Sequence, residues 1–109
     1  MMRSQDYHKL TAQFLDELKL MLRVTSDVYD HEILIEAEAA LRDMERVGIR
    51  EDYIKEANAS VRHAVACYVK ANFGYDNEEA DRFNRSYRQM VIDMLNSDKN
   101  KAYNPEEGE

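Results

Sequence analysis

Four apolar stripes of helical period, separated by three polar or glycine-containing breaks, constrain this chain to fold as packed helices. Phe14, Leu15, Leu18, Met21 and Leu22 recur at the three-and-four spacing that lines side chains along one helix face, predicting a first helix from about Thr11, which can cap it, to Arg23. After the polar break Thr25-Ser26-Asp27, a second helix is expected from about Asp27 to Val47, with Leu34, Ala37, Leu41 and Met44 inward. Gly48 is placed to take the positive-φ conformation that ends a helix. The four-residue link Gly48-Ile49-Arg50-Glu51 then folds a third helix back on the second. This helix is expected from about Asp52 to Asn72, burying Ile54, Ala57, Val61, Ala64, Val65, Tyr68 and Val69. Phe73-Gly74-Tyr75 breaks it, and Asp76 and Glu79 stand at capping-box spacing before a fourth helix that reaches about Asn96. That last helix would bury Ala80, Phe83, Tyr87, Met90, Val91, Met94 and Leu95. No segment alternates with period two as a half-buried strand would, so the fold class is all-α, a small bundle of four main helices.

At 109 residues the chain has room for one domain, divided as a flexible lead over 1–10, a helical domain over 11–96 and a flexible polar tail over 97–109. The formal charge of -7 argues against a role that depends on broad phosphate neutralisation, which needs clustered Lys and Arg. The single cysteine, Cys67, lies in an apolar run and reads as a small buried thiol rather than a nucleophile. Arg3, Asp6, His8 and Lys9 interrupt any signal-peptide core, and no apolar run reaches the length that spans a bilayer, so no membrane association is expected.

The spacings that would carry catalysis or metal binding fail one by one. His31-Glu32 is followed by Ile35 where a zinc-protease helix needs a second histidine. Ser60 stands three residues before His63, where a di-iron bundle needs Glu. There is no glycine-rich phosphate loop. Neither an enzyme nor a cofactor or metal site is expected.

Arg82, Arg85 and Arg88 form the main basic stripe. It has two readings: contact with an acidic partner, or a solvated helix face paired with Glu78, Glu79 and Asp81. Tyr68 and Tyr87 read as core, and Tyr75, in the last break, as an interface residue. Asp27, Asp30 and Glu32 sit in the first turns of the second helix, where carboxylates suit the helix dipole, and Glu36 and Glu38 follow them. They would also make an acidic wall that repels phosphate, and a solvated face is the equal alternative.

Two segments carry a family resemblance. The first runs from Leu15 to Leu41, with Leu15-Asp16-Glu17-Leu18-Lys19 closing in Leu22-Arg23-Val24 before the acidic break. The second runs from Val65 through Tyr68-Val69-Lys70-Ala71-Asn72-Phe73-Gly74 into Phe83 and Ser86-Tyr87. In their order and spacing they resemble the small head–tail connector, or head-completion adaptor, proteins of long-tailed bacteriophages, over roughly Thr11 to Asn100. The resemblance implies a non-enzymatic virion protein without cofactor, made in the host cytoplasm. It implies a dodecamer-like ring of subunits between the portal protein and the stopper or tail-completion protein. Such a ring completes the head after DNA packaging and extends the channel, enclosing DNA without sequence-specific binding. On that reading Tyr75, Arg82, Arg85, Arg88, Asn100 and Tyr103 are the subunit or partner interface. Asp27, Asp30, Glu32, Glu36 and Glu38 are then the channel wall. The alternative from another class is a small helical DNA-binding or antitoxin-like regulator. It needs a basic recognition helix, for which Arg82, Arg85 and Arg88 are the candidates.

Overall fold

A computed structural model describes residues 3–73 and 78–97. They form α1 (Ser4–Gln13), α2 (Leu15–Leu22), a 3-10 turn (Asp27–Tyr29), α3 (Asp30–Arg46), α4 (Glu51–Glu56), α5 (Ala59–Asn72) and α6 (Ala80–Asn96). No strand occurs among the described residues, and the fold is all-α. The expected capping box at Asp76, and the expected interface residues Tyr75, Asn100 and Tyr103, lie outside the described residues.

Helix α5 is the centre of the bundle, with α6, α3 and α2 packed around it. Its Val61, Ala64, Val65 and Val69 are fully buried, and small side chains let the neighbouring helices approach closely. They meet Ile33, Ala37, Ala40, Leu41 and Met44 of α3, Leu18 of α2, and Tyr87, Val91 and Met94 of α6 in one continuous core. The Tyr68 and Tyr87 rings stand edge to face at 5.1 Å. The Tyr87 hydroxyl donates to the Asp43 carboxylate at 2.7 Å and lies 3.3 Å from the Ala40 carbonyl, tying α6 to α3. Burial, then the Asp43 carboxylate, pushes the Tyr87 phenol well above its ordinary value.

Several features depart from the sequence-based expectation. The segment 1–10, expected as a lead outside the helical domain, contains most of α1, which buries Tyr7 and Leu10 against α3. Helix α1 opens with the Asp6 carboxylate accepting the Arg3 N–H at 3.1 Å. The Thr11 hydroxyl does not cap a helix start; it donates to the Tyr7 and His8 carbonyls at 3.0 and 3.1 Å. Phe14 divides α1 from α2, so the first expected helix is two. The third is also two: Ala57 takes a left-handed φ of 49°, and the Asn58 side chain accepts the Val61 N–H at 3.1 Å to start α5 afresh. The Arg62 guanidinium donates to the Ala57 carbonyl left open at that corner and pairs with Glu17 at 2.8 Å.

In α3 the inward residue of the first turns is Ile33, fully buried, and Leu34 is half-buried at the flank. A one-residue difference rotates a position by about 100° around the axis, enough to move it from stripe to flank. Cys67 is half-buried rather than buried, and burial raises its thiol pKa. Gly48 has the expected positive φ, 117°.

Candidate functional site

The acids of α3 are largely engaged. Lys19 reaches from α2 to bridge Asp27 at 2.7 Å and Asp30 at 2.9 Å, which raises the lysine and holds Asp27 below the usual carboxylate range. Glu38 meets His8 of α1 at 3.0 Å and Arg42 at 3.9 Å. Glu36 is half-buried, and its burial, followed by the neighbouring Glu32 carboxylate, pushes its carboxyl up. The five residues therefore do not present one uniform anionic face. Asp27, with its side chain 89% exposed, keeps the most open carboxylate of those in ion pairs.

The arginine stripe of α6 divides between two places. Arg82 pairs with Glu79 and lies over the Phe83 ring, 4.9 Å from its centroid. Beside it is an open hollow of about 530 Å³ formed with Met21, Leu22, Lys70 and Phe73. Arg85 is exposed. Arg88 lines another open hollow, about 510 Å³, between the end of α3, Tyr68 of α5 and the face of α6 that runs from Asn84 to Leu95. Its walls are Val47, Tyr68, Val91, Ile92 and Leu95, with Asp43, Arg46 and Asn84 among its polar lining. Val47 and Ile92, both exposed large apolar residues, stand in that wall, a surface that the sequence pattern did not single out.

A smaller hollow of about 260 Å³ brings together Ser60, His63 and Asp93 with Met90 and Met94. These are the residue types of a hydrolytic triad, which is recognised by its hydrogen bonds. Asp93 accepts from Gln89 at 2.9 Å instead, and among the described residues neither a Ser60–His63 nor a His63–Asp93 hydrogen bond forms. Among the described residues no three His, Cys, Asp or Glu side chains converge as a metal site. No described helix is long and apolar enough to cross a membrane.

Residues 14–101, covering α2 through α6, match the family model of the phage connector proteins. The chain belongs to that family, whose members are in general structural rather than enzymatic. No curated protein and no solved structure matches it significantly.

Proposed function

We propose that this chain is a ring-forming adaptor that sits between the portal and the stopper or tail, completing the head after DNA packaging and extending the DNA channel. The observation that carries the reading is the family match over residues 14–101, which spans every helix that packs on α5. On this reading subunits and partners are held through the exposed Arg82, Arg85 and Arg88, and through Tyr75, Asn100 and Tyr103. The net charge of -7 supports a conduit that does not grip phosphate. Asp27, Asp30, Glu32, Glu36 and Glu38, in the first half of α3 and the turn before it, are on this reading the channel wall, with Glu32 its exposed helical acid. The protein would assemble in the host cytoplasm and remain in the virion.

The test is head completion with altered chains. Truncation after Asn96 keeps every buried core residue among those described and should leave the bundle folded. Portal binding should weaken, leaving heads that package DNA and then lose it. Reversal of Arg82 and Arg85 to Glu should impair docking more than folding. Normal heads from both variants would reject these site assignments. Tight, salt-dependent binding of the free protein to duplex DNA would favour a DNA-binding regulator and count against the adaptor itself.

A further inference from the structure

We propose that the hollow between the end of α3 and the face of α6 receives, from a second copy of this chain, the corner formed by Leu20 and Val28. Leu20 is 79% and Val28 82% exposed, the highest values among the exposed large apolar residues. A single exposed apolar side chain needs no explanation; here two follow directly on the two members of one ion pair, Lys19 and Asp27, which brings their backbones to the same corner. Lys19, next to Leu20, binds both Asp27, next to Val28, and Asp30 at the start of α3. That bridge holds the 3-10 turn against the end of α2, so the corner is shaped before any partner arrives.

The hollow offers what the corner lacks. Its floor and walls are apolar, from Tyr68, Val91, Ile92 and Leu95, and its polar edge includes Arg88. The corner carries the exposed carboxylate of Asp27 beside Val28. An acidic apolar knob thus meets a basic apolar recess, and this charge match selects a copy of the chain over an arbitrary apolar partner.

A subunit cannot fill its own recess. The corner precedes Asp30, while Asp43, Arg46 and Val47 line the hollow at the other end of the same helix. The 17 residues of α3, at about 1.5 Å each, separate them by roughly 25 Å. The contact therefore joins two different patches on two copies, the head-to-tail type that repeats from subunit to subunit and closes into a ring when the rotation allows. This inference rests on the adaptor reading for the use of such a ring, and it assigns Asp27 to the subunit contact rather than to the channel.

The experiment uses two full-length variants with opposite lesions. Val28→Asp spoils the corner and leaves the recess; Arg88→Glu spoils the edge of the recess and leaves the corner. Both positions are exposed, and circular dichroism checks that each variant is folded. Ile92→Asp is a second recess variant. Native mass spectrometry and sedimentation at the highest soluble concentration should find oligomers of the unaltered chain. Each variant alone should associate about tenfold or more weakly, a hot-spot-sized loss. An equimolar mixture of a corner variant and a recess variant should form a one-to-one heterodimer, since one working contact remains in each pair. An unaltered chain that stays monomeric overturns the inference, as do variants with undiminished oligomers or a mixture without heterodimer. Head binding, measured separately, decides the adaptor reading: a chain that completes heads through some other subunit contact would keep the function and lose this interface.

Discussion

Replacing Tyr87 by Phe removes one oxygen from the α3–α6 contact and leaves its packing in place. The ring still meets Tyr68 edge to face at 5.1 Å, so the loss is confined to the bond that the hydroxyl donates to Asp43 at 2.7 Å and its 3.3 Å approach to the Ala40 carbonyl. Hydrogen bonds to a charged group are worth about 1.5–3 kcal/mol when removed cleanly. Asp43 keeps its ion pair with Arg46, so its carboxylate is not orphaned and the lower half of that range applies. We expect a loss of about 1.5–2 kcal/mol, which for a domain of this size lowers Tm by roughly 6–16 °C. Urea unfolding followed by circular dichroism at neutral pH measures it. The pH dependence supplies an independent arm. The buried phenol holds its proton more tightly in the fold than in the unfolded chain, whose tyrosines titrate near the ordinary value of 10.0. Its contribution is complete below that pH and drains away as the pH rises above it. Tyr7, pushed up to about 12 by burial and its bond to Glu45, acts in the same direction. The Phe variant should therefore lose stability less steeply above pH 10 than the parent, with Tyr7, Tyr68, Cys67 and the paired lysines Lys19 and Lys55 contributing to the remaining slope. Equal stability of the two proteins at neutral pH, or identical alkaline slopes, would refute the reasoning.

Leu41 is fully buried between helices, and Leu41→Ala should cost about 2–4 kcal/mol in the same urea assay. Asn58→Ala removes the cap that starts α5 and should cost about 1 kcal/mol, with Asn58→Asp recovering most of it. Gly48→Ala forces a φ of 117° on a residue with a Cβ, which would also meet Leu95 at 3.4 Å, and should destabilise by about 1–2 kcal/mol. Metal analysis of protein purified without chelator should find no stoichiometric zinc or iron; metal bound through His31 or His63 would overturn the non-catalytic reading.

Helical class and most of the core were legible because period alone marks Leu18, Leu41, Val65 and Met94, whatever they pack against. The divisions within helices were not. Ala57 takes a left-handed φ without the glycine that usually announces it, and its cost is offset by the Asn58 cap and the Arg62 bond to its carbonyl. The first helix was missed because Ser4, Gln5, Asp6, His8 and Lys9 make its sequence read as polar. The spacing of Tyr7, Leu10 and Phe14 was the signal available. Which of Ile33 and Leu34 points inward depends on the neighbouring helices, since both fit a stripe. The candidate site was the least legible part. Lys19 meeting Asp27 and Asp30, and Val47 meeting Ile92 around one hollow, are products of tertiary packing that no local pattern encodes. The family resemblance carried the function where residue spacing supplied only exclusions.

Electron cryomicroscopy of DNA-filled heads assembled with this protein, focused on the portal vertex, tests the central claim most directly. The adaptor account predicts a closed ring of small helical subunits beneath the portal, into which the helices α1 to α6 of this chain fit with α5 at the centre of each subunit, and loss of that ring when the protein is omitted. A vertex that is unchanged by its omission, with the protein found free or bound to duplex DNA, would contradict it.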